Sequence, residues 1–289
     1  MPSPTSAELT LAHALAGAQE LGVKLADARM LLLHVLKRPA HDRAWLLTHD
    51  GDLLPQEAAS ELNALLHRRL EGEPVAYLTG RKPFYGLDLA VDARVLDPRD
   101  DTETLVDWAL ELCPAEPSAT QVAQRLLDLG TGSGAIALAL ASQRPQAEVT
   151  AIDRNEDALA VAGANARRLG LPLRLLAGDW LAPVRGERFE LIVSNPPYIR
   201  EDDPHLPALV HEPLTALVSG PDGLADIRQL VSQAPGYLSP GGWLLLEHGW
   251  DQAGAVRELM EAAGYGQVQS RRDLAGIERC SGGQMPAGA

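Results

Sequence analysis

From about Thr5 to Gly72 the apolar positions recur at three- and four-residue intervals, the period of a helix with one buried face. Leu9, Leu11, Ala12, Leu15 and Ala16 form the first such face, opened by Thr5-Ser6-Ala7-Glu8 at capping-box spacing and closed by Gly22. A second face runs through Met30, Leu31, Leu33, Val35 and Leu36 and stops before Pro39, and a short helix holds Trp45, Leu46 and Leu47. Pro55 opens a longer helix with Leu62, Leu65, Leu66 and Leu70 on one side, ending at Gly72. The pattern predicts a small helical bundle over residues 1–73. On this pattern alone its role is packing or dimerisation.

The pattern changes at Pro74. Tyr77, Leu78, Phe84, Tyr85, Leu87, Leu89 and Val91, set among Gly80, Pro83 and Gly86, predict a linker with a hairpin over residues 74–92. Arg94-Val95-Leu96 reads as a short strand, and Asp100-Asp101-Thr102-Glu103 as a capping-box start for the helix through Leu105, Val106, Trp108 and Leu110. A loop surrounds Glu116 to Thr120. From Arg125 short apolar runs alternate with helical patterns, which predicts a doubly wound parallel sheet within a third region, residues 93–289. Its strands are Leu126–Leu129, Glu148–Ile152, Leu173–Leu176, Phe189–Val193 and Trp243–Glu247, with two more near Val268 and Ile277. Helices are expected after the first strand to Leu140, from Glu156 to Leu169, near Ile227 to Ala234 and from Gln252 to Ala263.

Composition narrows the function. A chain of 289 residues with 46% hydrophobic content can bury a substantial core. The net charge of −14 offers no basic footprint for nucleic-acid phosphates. No direct nucleic-acid binding is expected, and a small molecule or basic protein partner suits the surface better. Cys113 and Cys280 have no metal-ligand spacing and read as reduced thiols, so no metal is expected. No signal peptide or membrane-spanning run is apparent, which predicts a soluble cytoplasmic protein.

The candidate chemistry lies at the predicted strand ends, where open α/β sheets bind ligands. Asp128-Leu129-Gly130-Thr131-Gly132-Ser133-Gly134 joins a strand to a helix, and its glycines let a ligand approach backbone N–H groups. Glycines alone do not separate NAD from S-adenosylmethionine. Asp153 ends the next strand and is placed for a ribose diol; Asp179 and Trp180 end the third and offer an acceptor and an aromatic edge for adenine. The fourth ends in Ser194-Asn195-Pro196-Pro197-Tyr198. The prolines hold Asn195 and Pro196 extended. The Asn195 side-chain oxygen and the Pro196 carbonyl can then each take one hydrogen of a planar NH2 group, with Tyr198 against its flat face. Such a clip aims the nitrogen at an electrophile. No His or Tyr-Lys pair stands at a strand end for a dehydrogenase. His211-Glu212 and Glu247-His248 read as solvated loop or strand-end pairs. Methyl transfer to nitrogen is therefore the chemistry the strand ends favour.

Over nearly its whole length the chain resembles the bacterial release-factor glutamine methyltransferases. The resemblance rests on Pro74-Val75-Ala76-Tyr77 with Thr79-Gly80, Phe84-Tyr85-Gly86, the Asp128 to Gly134 turn, Ser194 to Ile199, Glu212-Pro213, Ser219-Gly220 with Asp222-Gly223-Leu224, and Asp273 to Gly276 with Arg279. It implies a seven-stranded class I, Rossmann-like methyltransferase sheet behind an N-terminal helical domain that helps hold the release factor. It implies S-adenosylmethionine against Gly130, Thr131, Gly132, Ser133, Gly134, Asp153, Trp180 and Asn195, with S-adenosylhomocysteine as product. It also implies that Asn195, Pro196, Pro197 and Tyr198 hold the glutamine of the substrate's Gly-Gly-Gln loop, Asn195, Pro196 and Tyr198 serving catalysis.

Two features depart from the family pattern. Asp97 stands where an apolar residue is expected, beside Asp100 in Asp97-Pro98-Arg99-Asp100, and Gly282-Gly283-Gln284 repeats the substrate motif in the chain's own tail. Two other functions remain open at this point: methylation of nucleic-acid exocyclic amines, which needs a basic channel and base flipping, and binding of S-adenosylmethionine without catalysis.

Overall fold

The computed structural model describes residues 9–114 and 123–288. The chain divides into two compact units, Met1–Gly80 and Arg81–Ala289. The capping-box reading of Thr5 to Glu8 and the loop reading of Glu116 to Thr120 lie outside the described residues.

The first unit is helical: α1 Leu11–Glu20, α2 Leu25–Val35, α3 Arg43–Thr48, α4 Gln56–Leu70 and α5 Val75–Thr79. Helix α1 starts later than its apolar pattern suggests, because Thr10 caps it by accepting the His13 N–H, and Leu9 remains outside. Leu11, Leu31, Leu32, Leu33, Leu46, Leu62 and Leu66 build a separate core. Tyr77 and Leu78 belong to α5 rather than to a hairpin, since Pro74 opens one more helical turn and Gly80, at φ 68°, ends it.

The second unit opens with the expected hairpin, β1 Arg81–Phe84 and β2 Leu87–Ala90, joined through Tyr85 and Gly86 at φ 48° and 75°. Positive φ at both central residues matches the twist of a two-residue hairpin. No strand forms at Arg94-Val95-Leu96. The Asp92 carboxylate takes the Arg94 N–H at 3.0 Å and folds this segment into a turn. Asp100–Thr102 is a 3-10 turn leading into α6 Glu103–Leu112, with no side-chain cap. The Glu103 carboxylate accepts the Tyr85 N–H at 2.7 Å instead, tying α6 to the hairpin.

The strands β3 Arg125–Leu129, β4 Glu148–Asp153, β5 Arg174–Ala177, β6 Phe189–Ser194, β7 Leu238–Glu247, β8 Gly266–Arg272 and β9 Glu278–Gln284 form one seven-stranded sheet in the order β5-β4-β3-β6-β7-β9-β8. Helices α7 Ala135–Gln143, α8 Glu156–Leu169, α9 Ala225–Gln233 and α10 Ala253–Ala262 supply the alternating layer elements. The sheet is mixed rather than wholly parallel, because β9 runs antiparallel between β7 and β8. A tight return after β8 leaves no room for the crossover that a parallel strand requires. Leu127, Leu129, Ile152, Phe189, Ile192, Leu244 and Leu246 bury the sheet's centre against α9 and α10 through Ile227, Leu230, Val256 and Met260.

Strand β9 contains Gly282, where an added Cβ would collide with the Leu245 side chain and lie 2.7 Å from Trp108 Cη2. Gly282→Ala is expected to destabilise the protein by about 1–3 kcal/mol, the usual cost of overpacking a core. A chemical denaturation series measures it; an unchanged midpoint would show that the strand relaxes away from Trp108.

Candidate active site

The strand order reverses between β3 and β6, which places a crevice at their carboxyl ends. Leu129 pairs with Ser194, so Gly130 and Asn195 leave the sheet side by side. The Ser194 hydroxyl fixes this register by donating to the Leu129 carbonyl at 2.7 Å. Asp153 likewise pairs with Ala177, bringing the β4 and β5 ends together. A cleft of about 710 Å³, counted with its open mouth, is lined here by Gly130, Gly132, Asp153, Asp179, Trp180 and Asn195, among others.

The glycine turn is held from both sides. Asp153 Oδ2 accepts the Gly132 N–H and Oδ1 accepts the Asn155 N–H, each at 2.9 Å. Buried Asp128 takes the Thr131 hydroxyl at 2.6 Å and the Ala137 N–H at 3.2 Å on Oδ2, while its Oδ1 has no hydrogen-bond partner. Burial pushes the Asp128 carboxyl up to about 7. Trp180 adopts φ 44°, a strained backbone for an aromatic residue, and its ring lies 3.4 Å from where a Gly130 Cβ would stand. The missing side chain at Gly130 is what keeps this part of the cleft open.

Asn195 donates from Nδ2 to Thr102 Oγ1 at 3.3 Å, which leaves Oδ1 as its free acceptor. The Tyr198 hydroxyl donates to Glu247 Oε1 at 3.2 Å, and the Tyr198 ring packs against the core of the second unit. Its backbone carbonyl accepts from Gln252 Nε2 at 3.0 Å. Gly223, at φ 73°, passes so close to that carbonyl that a Cβ there would overlap it. Burial raises the Tyr198 hydroxyl well above the usual phenol range and the Glu247 carboxyl to about 7.

Of the residues singled out in the sequence, Gly130, Gly132, Asp153, Asp179, Trp180, Asn195 and Pro197 line the one cleft. Thr131, Ser133 and Gly134 stand behind it: Thr131 and Ser133 are buried, and Gly134 packs α7 close to Ala162 of α8. Pro196 is buried, and Tyr198 is partly buried beside it. Arg94, Leu96 and Asn155 also line the cleft, without any sequence motif to mark them, and so does Pro213 of the Glu212-Pro213 pair. Thr102 and Glu247 were missed for a clearer reason: Glu247 depends on the register that sets Leu246 opposite Ser194, and Thr102 reaches Asn195 from a turn 93 residues earlier in the chain.

Two sequence readings need correction. Glu247 and His248 are buried rather than solvated, and so is Glu212, which binds Arg99 at 2.5 Å. His248 is locked between the Gly249 carbonyl and the Ser281 hydroxyl, and burial lowers its pKa. The tail Gly282-Gly283-Gln284 lies in β9, and Gln284 Nε2 donates to the Gly241 carbonyl at 2.9 Å.

Among the described residues no group of His, Cys, Asp and Glu could hold a metal ion, and no helix is long and apolar enough to cross a membrane.

A family model described as Methyltransferase small domain matches residues 111–220, and one described as PrmC N-terminal domain matches residues 10–80. The release factor glutamine methyltransferase of Bordetella pertussis is 52% identical over 269 residues, covering 91% of this chain and 96% of that protein. The Escherichia coli protein of the same name is 46% identical over 261 residues, covering 89% and 91%. Among solved structures, a methyltransferase from Pyrococcus furiosus superposes with a TM-score of 0.54 at 20% identity, covering 76% of this chain and 97% of that one. The Thermus thermophilus 16S rRNA N2 G1207 methyltransferase, solved with AdoMet and guanosine, gives 0.51 at 20% identity, covering 71% and 49%. These structures speak for the fold alone. The protein is a class I S-adenosylmethionine-dependent methyltransferase. It belongs to the family of release factor glutamine methyltransferases.

Proposed function

We propose that the protein methylates the side-chain amide nitrogen, N5, of the glutamine in the Gly-Gly-Gln loop of peptide-chain release factors, leaving S-adenosylhomocysteine. The observation that carries this reading is Asn195: it lines the cleft beside Asp153 and Trp180 with its amide nitrogen already given to Thr102. An acceptor oxygen is what remains for a substrate NH2.

The cleft residues fit S-adenosylmethionine, because Gly130 leaves space against the Trp180 ring and two carboxylates, Asp153 and Asp179, stand at the rim. When bound, S-adenosylmethionine supplies a methyl carbon on a sulfonium. Asp153 takes the ribose hydroxyls, while Asp179 and Trp180 face the adenine. The buried Thr131, Ser133 and Gly134 shape the turn from behind. Asn195 Oδ1 and the Pro196 carbonyl hold the two amide hydrogens, and Pro197 and Tyr198 complete the wall. An amide nitrogen is a poor nucleophile because its lone pair is delocalised. Holding both hydrogens favours a pyramidal nitrogen with its lone pair aimed across the cleft. The proton then leaves to solvent. We assign residues 1–73 the task of holding the release factor, residues 74–92 the linker and residues 93–289 the transfer chemistry.

The test uses methyl-labelled S-adenosylmethionine with an unmodified release factor and with its Gly-Gly-Ala variant. Label on the first and none on the second is expected. Label on both, or label on RNA or DNA instead, would overturn the assignment.

A further inference from the structure

Pro196 and Pro197 have no N–H, so the two residues between Asn195 and Tyr198 cannot hold themselves to the fold through a backbone donor. Their position is set from the two ends of the stretch. At the first end, Ser194 is locked into the sheet opposite Leu129 and Leu246. At the second, the Tyr198 N–H donates to the Leu217 carbonyl at 3.1 Å, and the Tyr198 carbonyl accepts from the side chain of Gln252.

Gln252 stands just before α10 and is 8% exposed. Its Oε1 accepts the Gly249 N–H at 2.8 Å, and because a backbone N–H can only donate, this contact decides which way the amide faces. Nε2 is thereby turned to the Tyr198 carbonyl at 3.0 Å and to the Asp222 and Gly223 carbonyls at 3.5 and 3.4 Å, which takes up both of its hydrogens. Gly223 makes the approach possible, since a Cβ there would overlap the Tyr198 carbonyl and lie 2.8 Å from Gln252 Nε2. One buried amide thus ties the Asn195 to Tyr198 stretch, the turn at Gly223 and the loop after β7 at a single point.

We propose that Gln252 is a positioning residue for methyl transfer: it fixes the Tyr198 end of the stretch and so sets where the Pro196 carbonyl stands relative to Asn195 Oδ1. The inference rests on the proposed role of that pair in holding the substrate amide. Gln252 is not among the described residues that line the cleft, so it acts through the backbone of the stretch. Without its N–H groups the Tyr198 carbonyl loses its side-chain partner and the stretch can pivot about Ser194. A shift of about 1 Å at the Pro196 carbonyl is enough to misalign the nitrogen with the methyl carbon. The cofactor side keeps its own anchors, because Asp153 holds the glycine turn through the Gly132 N–H and the start of α8 through the Asn155 N–H.

The experiment compares the wild type, Gln252→Glu and Gln252→Met, with an unmodified release factor as methyl acceptor. It measures the Kd for S-adenosylmethionine, the number of binding sites by calorimetric titration, and kcat per binding site. Gln252→Glu, when ionised, keeps the shape and the acceptor for Gly249 but has no hydrogen for Tyr198, and Gln252→Met fills the space with neither. Both are expected to lose kcat per site by about 10- to 100-fold, the scale of a misplaced reacting group, with Kd unchanged. A glutamine that only supported the fold would lower the number of sites and leave kcat per site at the wild-type value. Wild-type kcat per site in Gln252→Met would overturn the inference, and that variant decides alone if Gln252→Glu does not fold. A fully active Gln252→Glu would also overturn it by placing the role at Gly249, as would a Kd that rises in parallel with the loss of kcat. A wild type that leaves the release factor unlabelled removes the proposed function itself, whereas a labelling wild type with fully active variants removes this inference alone.

Discussion

Asn195→Ala is expected to lower kcat for the release factor by about 100- to 1000-fold, the loss seen when one preorganised polar partner of a transition state is removed. The Kd for S-adenosylmethionine should change little, since Asp153, Asp179, Trp180 and the glycine turn remain in place around the cleft. The effect falls on kcat because the Asn195 acceptor acts most strongly when positive charge develops on the nitrogen. Asn195→Asp is expected to be nearly as damaging. It offers an acceptor but no N–H, so it loses the donor to Thr102 Oγ1 that orients the side chain and brings a charge into the cleft. Single-turnover kinetics and calorimetry separate the two quantities. Near-normal kcat in Asn195→Ala would remove the amide-holding role.

Much of this site was legible in the sequence because its parts are local. A run such as Phe189 to Val193 is a strand by composition, and whatever follows it stands at the carboxyl edge of the sheet. Four successive strand ends therefore point Gly130, Asp153, Trp180 and Asn195 toward one cleft, which all four line. The supporting groups were not legible, because they come from other strands and from before the sheet. Glu247 depends on the register between β6 and β7, and Thr102 precedes β3 altogether. The apolar pattern also carried no sign of strand direction, so the antiparallel β9 was invisible until its pairing was seen.

Asp97 shows how a departure from the family pattern is accommodated. Its carboxylate is buried near Lys82 Nζ at 3.9 Å and Arg99 Nη1 at 3.5 Å, and Arg99 in turn binds Glu212, 113 residues away in the chain. Two cations thus stand against a carboxyl that burial would otherwise neutralise; burial still raises its pKa. From the sequence, Asp97 is a carboxylate where an apolar residue is expected; Lys82, distant in the chain, meets it only in the fold. The contacts turn it into one member of a charge cluster beside Pro213, which lines the cleft.

Asp153→Asn should act on the cofactor side of the cleft alone. Both carboxylate oxygens already accept backbone N–H groups, one from Gly132 and one from Asn155, and each keeps a lone pair for a ribose hydroxyl. An amide has only one oxygen, so its NH2 must face one of those N–H groups, and either the glycine turn or the start of α8 loses its anchor. The loss of one charge-assisted hydrogen bond is worth about 1.5–3 kcal/mol, so the Kd for S-adenosylmethionine should rise by about 10- to 150-fold. Because Asn195, Thr102 and Glu247 are untouched, kcat at saturating S-adenosylmethionine should return close to the wild-type value. That is the reverse of the Asn195→Ala result. Calorimetric titration with S-adenosylmethionine and with S-adenosylhomocysteine, followed by turnover at saturation, decides it. An unchanged Kd would mean that the diol is held elsewhere, and a kcat that stays low at saturation would mean that the glycine turn and the Asn195 stretch are coupled across the β3 and β6 strand ends.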